Sequence, residues 1–397
     1  MKKLAMLTFA DIDNYGDTFF PYVFVEEMKK RLPGYTIDVL ANQACNFGPV
    51  TCEKYNLEQL TQYDAVVLAG GEVVHDFDVG VWNSIYYPMT KGNLDFAPSD
   101  IVFNWMDLNI PFKAWFSVGV LPPHESTRLK ITSALNKLDY IALRGIVAKK
   151  IVENYTEAHY SSLHLVPDMG WIFPHYIPTE EADKKRVGRE AKVEGLFESP
   201  YLVFEAHMAA FPPAKQVAAA LMHIQEATGL RVIMLPLVRP WQDHRVMSYI
   251  EDASDGNLLL LHDNLSFLDM GTILANADLY VGTSLHGAMT LLANGKPAGI
   301  IHPHSMTKYQ DFLGMQMRLD FYENNWGQLE TLVHKLIQEH YDISKMRQLK
   351  LYSEYMQLKL NDAFDELAVR IMEERSVVKQ SFSSRLINKM NTLINSV

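Results

Sequence analysis

The 397-residue sequence predicts an α/β protein of two Rossmann-like domains facing a cleft, with a C-terminal helical extension. Three observations lead to that class. Short apolar runs alternate twice over with segments of helical periodicity, the pattern of βαβ units. Polar residues in both series collect just after the apolar runs, where ligands sit in open parallel sheets. The length also exceeds what one core ordinarily organises, so two domains plus an extension are expected.

Residues 4–9 read as the first buried strand, followed by a polar turn at 10–17 and an apolar-periodic helix at 19–32 that stops at Pro33-Gly34. The turn holds Asn14, Gly16 and Asp17, residue types that turns favour on their own account. Strands follow at 36–40 and 64–68, the latter running into Gly70-Gly71-Glu72, where paired glycines let the backbone approach a ligand or a helix closely. A strand at 113–118 precedes one at 140–143, which ends on Arg144 and leads into a helix over 147–154. Residues 163–166 and then Pro167-Asp168 close an N-terminal domain assigned to 1–180. Residues 181–199 are highly charged and nearly free of large apolar side chains, and read as a linker or an exposed helix.

A second domain, 200–325, opens with a strand at 201–204 that has Glu205 and His207 just beyond it. A helix at 215–228, a strand at 231–235, an apolar segment at 258–261 and a helix at 267–275 continue the alternation. Arg239, shortly after the 231–235 strand, is a candidate for the cleft. The most informative stretch is 279–308: a strand at 279–281, a turn at 282–286, and a helical segment ending at Asn294-Gly295. Thr283 or Ser284 suits the N-cap, and the N–H groups of Leu285, His286 and Gly287 would point out of a helix end whose dipole favours an anion. A strand at 298–301 then delivers His302, His304 and Lys308 to the same edge. Imidazoles and an ammonium at a helix N-terminus point to a phosphorylated or carboxylated ligand. The His302-Pro303-His304 spacing suits metal ligands, but neither Cys nor carboxylate accompanies it nearby, and no metal is assigned.

From residue 326 the chain reads as helical to its end, an extension over 326–397. Leu329, Leu332, Val333, Leu336 and Ile337 share one face, and Leu349, Tyr352, Met356 and Leu360 share another, as packing helices that cross back to the first domain would. The tail at 379–397 has three basic and no acidic residues, and Phe382, Leu386, Ile387, Met390, Leu393 and Ile394 fall on one helical stripe. It either packs as a terminal helix on its own domain or across a dimer, or makes peripheral contact with a membrane surface or a membrane-bound partner.

Composition excludes several classes. With 47 acidic against 36 basic residues the net charge is −11, which argues against nucleic acid as a partner. Cys45 and Cys52 are too few for a disulfide scaffold and fit a reducing cytoplasm. The short apolar run after Lys2-Lys3 meets Asp11 and Asp13 at once, so it reads as a strand rather than a signal peptide, and no run has the length of a membrane span. There is no Gly-x-Gly-x-x-Gly after the first strand, no Walker sequence and no Gly-x-Ser-x-Gly elbow.

The stretch VGTSLHGAMTLLANGKPAGII, 281–301, resembles the signature of the polysaccharide pyruvyl transferase family, and the resemblance extends over roughly 3–313. Asn14-Tyr15-Gly16-Asp17 is similar to the family's Asn-x-Gly-Asp element, Gly70-Gly71-Glu72 to its Gly-Gly-Gly turn, Arg144 to its strand-Arg-helix element, and Pro167-Asp168 to the motif closing its first domain. Two departures stand out. Ser284 occupies a place where many members carry Arg, and Glu72 replaces the third Gly.

The resemblance implies a glycosyltransferase-B-like architecture and a ketal-forming reaction. Phosphoenolpyruvate, as co-substrate with no further cofactor, would give its pyruvyl carbon to two hydroxyls of a sugar or a lipid-linked oligosaccharide, at the inner face of the membrane. Thr283, Ser284, Gly287, Arg144, Arg239, His304 and Lys308 would then bind the donor. Asn14, Gly16, Gly70, Gly71 and Asp168 would form the acceptor side. His286 would serve as acid or phosphate ligand, with Asp17, Glu72 or Asp168 as the base. Two alternatives stay open: a nucleotide-sugar glycosyltransferase holding a diphosphate at the same helix end, and a silent carbohydrate- or partner-binding relative.

Overall fold

The computed structural model describes residues 1–75, 77–91, 94–155, 163–261, 265–304 and 307–373. Its first half runs β1 (Lys2–Leu7), α1 (Tyr15–Arg31), β2 (Tyr35–Ala41), β3 (Cys45–Asn46), β4 (Thr51–Lys54), β5 (Ala65–Ala69), α2 (Val79–Thr90), α3 (Asp100–Phe103), β6 (Phe112–Val118), α4 (Glu125–Leu135), β7 (Tyr140–Leu143), α5 (Ile146–Tyr155) and β8 (Leu163–Leu165). The second half runs α6 (Glu181–Glu190), β9 (Tyr201–Glu205), α7 (Ala214–Thr228), β10 (Arg231–Met234), α8 (Asp243–Ala253), β11 (Leu259–Leu260), α9 (Phe267–Asn276), β12 (Leu279–Gly282), α10 (Leu285–Ala293), β13 (Ala298–Ile301), α11 (Thr307–Met315), β14 (Tyr322–Glu323), α12 (Leu329–Tyr341) and α13 (Ile343–Met372).

Two sheets result, in the orders β3-β4-β2-β1-β5-β6-β7-β8 and β11-β10-β9-β12-β13-β14. All pairings are parallel except the short β3/β4 hairpin. Parallel strands covered by helices on both faces must be apolar throughout, and β5, Ala-Val-Val-Leu-Ala, is buried at every residue. Strand order reverses beside β1 in one sheet and beside β9 in the other, opening a crevice after β1/β5 and another after β9/β12. These two crevices face each other.

An apolar seam holds them in that relation. Phe19 on α1 stacks on Phe173 with ring centroids 4.0 Å apart and tilts against Phe267 at 5.0 Å. The Tyr15 hydroxyl meets Thr290 Oγ1 at 3.0 Å. On one flank Asn14 bridges to Val238 and Tyr15 N–H donates to Leu237 O; on the other, Asp311 of α11 accepts from the Val147 N–H at the start of α5. Helix α13 crosses behind the seam, with Phe364 against Phe116 at 4.8 Å and Asp365 2.7 Å from Arg31 Nε.

The expected strands stand within about two residues of their bounds, but β3, β4, β14 and several helices are additions. Residues 79–90 are rich in β-branched and aromatic side chains, yet Asp78 accepts from Val81 N–H and caps α2, which buries Trp82, Ile85 and Tyr86 at helical spacing. The charged stretch expected as a linker or an exposed helix contains α6, anchored by fully buried Val187 and by Arg186 at 2.6 Å from Asp269. The tail at 379–397, expected to pack or to meet a membrane, lies outside the described residues. No helix among them is long and apolar enough to cross a membrane.

Candidate active site

Both crevices contribute side chains to one cavity of about 150 Å³. Asn14 and Asp17 enter from the β1–α1 turn and the start of α1, Glu72 from the turn after β5, and Arg144 from the end of β7. From the opposite side come Thr283, Ser284 and His286 at the start of α10, and Lys308 on α11. A second cavity of about 50 Å³ shares Glu72, Arg144 and Lys308 and adds Asp168.

The centre is a charge network joining the two halves. Arg144 Nη1 lies 2.7 Å from Asp168 Oδ2, and its Nη2 lies 4.0 Å from Glu72 Oε1. The other Glu72 oxygen is 3.6 Å from Lys308 Nζ, so one carboxylate stands between two cations supplied by different sheets. Asp168 also accepts the Gly170 N–H at 2.8 Å and lies 3.8 Å from His286 Nε2. Burial alone would raise this carboxyl, but Arg144, His286 and the Gly170 N–H overcome it and hold Asp168 at about 2. Asp17 goes the other way: burial pushes it up to about 6, with His286, Arg144 and Lys308 drawing it only part of the way back.

His286 is buried, its ring edge-on to Phe20 at 5.0 Å, and its Nε2 has no hydrogen-bond partner among the described residues. The reason for Gly16 is here. A Cβ at Gly16 would stand 2.0 Å from His286 Nδ1, so only glycine lets the imidazole lie against α1. Gly16→Ala is therefore expected to displace the ring by about 1 Å and to lower turnover about a hundredfold with little change in melting temperature, checked by kinetics and a thermal melt.

The helix end differs from its expected form. Glu205 at the end of β9 accepts from the Thr283 N–H at 2.9 Å, the Ser284 N–H at 2.6 Å and the Thr283 hydroxyl. Ser284 caps α10 by accepting the Gly287 N–H at 3.2 Å. The donors of Thr283, Ser284 and Gly287 are thus taken by the protein. The N–H groups of Leu285 and His286 have no protein acceptor among the described residues. Burial, reinforced by Asp243, pushes Glu205 up to about 8, so it occupies those donors without placing a negative charge beside the cavity near neutral pH.

Other expected site residues stand elsewhere. Gly287 faces inward, where a Cβ would meet the Tyr280 ring at 2.6 Å. Gly70 takes φ +75° to pass Met169 and Phe20, and a Cβ at Gly71 would come within 3.2 Å of Asp17, so both shape the turn without offering acceptor contacts. Arg239 pairs with Asp13 at 2.8 Å and lines a separate cavity with Phe267 and Ser266, because the Asn14–Val238 bridge screens it from the cleft. His304 is exposed, while His302 turns inward against His207 at 5.3 Å and Tyr309 at 5.4 Å. Asp168 lines the second cavity while bonding Arg144 and the Gly170 N–H. Asn14 caps α1 through the Gly16 N–H while still lining the cavity.

The cavity is also lined by residues that sequence reasoning did not assign: His75 and Phe77 from the segment between β5 and α2, Trp82 on α2, and His207, Trp241 and Tyr309. His207 was legible as a polar residue just past a strand beside the order reversal; the others had no such marker. Burial, with His302 and Lys308 adding to it, lowers His207 to about 3 and keeps it neutral. Among the described residues no three His, Cys, Asp or Glu side chains converge as a metal site requires.

The comparisons agree with this architecture. The chain is similar in structure to UDP-GlcNAc 2-epimerase from Neisseria meningitidis bound to UDP-GlcNAc, at 10% identity and TM-score 0.55, covering 94% of this chain and 100% of that one. A putative UDP-N-acetylglucosamine 2-epimerase from Listeria monocytogenes matches at 11% and 0.56, covering 96% and 99%. A trehalose-6-phosphate synthase matches at 9% and 0.53, covering 96% and 100%. At such identities the likeness is one of fold, and that fold is glycosyltransferase-B-like. No curated protein sequence matches the chain significantly. The family model for polysaccharide pyruvyl transferase matches residues 14–305, a span that takes in Asp17, Glu72, Arg144, Asp168 and His286, and by this match the chain belongs to the polysaccharide pyruvyl transferase family.

Proposed function

We propose that the chain transfers the pyruvyl unit of phosphoenolpyruvate to two hydroxyls of one sugar, forming a cyclic ketal on a cell-surface polysaccharide or its precursor. The observation that carries this reading is the convergence of Arg144 and Lys308, from opposite sheets, on the single carboxylate of Glu72 with His286 alongside. A small, multiply charged anion fits that arrangement: its phosphate and carboxylate replace Glu72 as the counter-ions of the two cations, and the Leu285 and His286 N–H groups add donors. These cations stand in for the Arg that Ser284 replaces.

The chemistry then follows the residues. A proton delivered to the methylene carbon leaves the neighbouring carbon electron-poor, and the first sugar hydroxyl adds there as its own proton passes to a base. The second hydroxyl displaces the phosphate and closes the ketal, so one hydroxyl proton makes good the acid and the other leaves with phosphate. In this reading His286, oriented by Asp168, is the acid. Asp17, ionised above about pH 6, is the base. Because the base must be ionised, kcat/KM is expected to fall as pH drops through about 6, and Asp17→Asn to abolish that limb together with most of the rate. An unchanged limb in this variant would remove Asp17 from the role.

Glu205 argues against the nucleotide-sugar alternative, since a diphosphate lying across the start of α10 would compete for N–H groups already bonded to it. The test is direct. Protein incubated with phosphoenolpyruvate and candidate oligosaccharides should release inorganic phosphate, whereas nucleotide-sugars should release no nucleotide; the reverse result would sink the proposal.

A further inference from the structure

A line of aromatic rings leaves the cavity on the side of the second sheet. Trp241 and His207 line the cavity, with ring centroids 6.1 Å apart. His207 lies 5.3 Å from His302, His302 lies 5.8 Å from His304, and His304 meets Phe211 edge-on at 6.2 Å. The line passes from inside to outside: His207 and His302 are buried, His304 is exposed, and Phe211 is 70% exposed. Topology brings these rings together. They stand on the segments after β9, β10 and β13, strands of one parallel sheet whose carboxyl ends share an edge.

The outer end of the line is fixed from beneath. The Trp326 indole N–H donates to Ala210 O at 2.9 Å, and the Tyr322 hydroxyl lies 3.1 Å from both the His302 and the His304 carbonyl oxygens. Phe211 itself takes φ +44°, in the left-handed region that suits glycine and disfavours every residue with a side chain. Packing does not account for a ring held exposed on such a backbone.

We infer that this line is an extended subsite for a sugar chain: the residue that receives the pyruvyl unit lies in the cavity against Trp241, and the next residues of the chain run outwards over His304 and Phe211. A pyranose has a face of C–H groups and a rim of hydroxyls, so it can lie on a flat ring while its hydroxyls bond ring nitrogens. The two ends of the cavity differ in the way this needs. Arg144, Glu72 and Lys308 gather charge for a small anion at one end, whereas no Lys or Arg belongs to the ring line. Burial lowers His207 to about 3 and His302 to about 4, so the inner rings are neutral near pH 7 and suit a neutral ligand. Continuity with the cavity selects the occupant, since a chain whose terminal residue reaches His286 must leave the site along some surface. The inference rests on the transfer to sugar proposed above and adds that the acceptor is recognised over more than one residue.

Glucose, galactose, mannose and N-acetylglucosamine, each as its methyl glycoside and as oligosaccharides of two to four residues, are to be titrated into the full-length chain by calorimetry without phosphoenolpyruvate. In at least one series affinity is expected to rise about tenfold from one residue to three, with Phe211→Ala removing that gain and Phe211→Trp keeping it. Phe211→Gly separates binding from packing. Glycine suits φ +44°, so this variant should melt at or above the wild-type temperature and still lose the gain, whereas a structural role for the ring would lower the melting temperature. Phosphate release from phosphoenolpyruvate is measured in parallel. Length-dependent binding without phosphate release would refute the reaction and leave the subsite standing; phosphate release on single-residue acceptors, with no gain for longer ones, would refute the subsite and leave the reaction. The inference is also overturned if none of these sugars binds, if Phe211→Ala keeps the gain, or if uridine or a second copy of the chain proves to be the ligand that depends on Phe211.

Discussion

Replacing His286 with alanine is expected to lower turnover about a thousandfold while donor affinity and fold remain close to wild type. The imidazole sits where no structural duty accounts for it. Its Nε2 lacks a hydrogen-bond partner among the described residues and stands 3.8 Å from the Asp168 carboxylate, which lies low enough, at about 2, to remain ionised and orient the ring. Gly16 gives up a side chain to accommodate it. A group held so closely and left without a hydrogen bond at Nε2 is placed to exchange a proton with a bound molecule. Steady-state kinetics would show the loss in kcat with a small change in KM for phosphoenolpyruvate, and circular dichroism would confirm the fold. Full activity in the variant would exclude His286 as the acid.

Arg144→Met is expected to act on binding and stability together. The guanidinium is 9% exposed and bonds Asp168 at 2.7 Å, so its removal strands a buried carboxylate and costs about 3 kcal/mol of stability. It also removes one of the two cations that would hold the donor, which should raise KM for phosphoenolpyruvate about a hundredfold. The pH dependence separates the two effects. Asp168 is depressed in the folded state, so its pairing contributes stability that is present above the ordinary carboxyl range and is lost as pH falls through about 2. The stability gap between wild type and Arg144→Met should therefore narrow as the medium is acidified below about pH 4. Asp168→Asn in the Arg144→Met background should recover much of the stability and none of the donor affinity, a coupling that a double-mutant cycle would measure. A variant with unchanged KM would show that the donor binds elsewhere.

Much of the strand pattern was legible because parallel strands buried on both faces must be short, continuous apolar runs, as residues 65–69 and 140–143 are. Helices were less evenly visible. Helices α7 and α9 have a clear apolar stripe, whereas α2, rich in β-branched and aromatic side chains, is held by its Asp78 cap and by packing on the Arg239–Trp241 turn. In the site, Arg144, His286 and Lys308 lie at or shortly after the carboxyl end of a strand, while Asp17 and Glu72 were singled out by their likeness to the family's Asn-x-Gly-Asp and Gly-Gly-Gly elements. Trp82, Trp241 and Tyr309 come from helices and turns that only the folded chain brings over the crevice.

What the sequence determined by itself was local: strand positions, the cap at Ser284, the glycines at 16, 70 and 71, and the polar residues that end up at strand ends. Tertiary structure decided which of those residues meet. Arg239 follows a strand as Arg144 does, yet the Asn14–Val238 bridge puts it on the far side of the joint, paired with Asp13. Thr283 and Ser284 offer N–H groups as a helix start should, yet Glu205, 78 residues from Thr283, takes them first. Register along one strand is a matter of neighbouring residues. Which carboxylate reaches which donor depends on how two sheets pack, and that is set by the distant apolar contacts of Phe19, Phe173 and Phe267 in the seam between them.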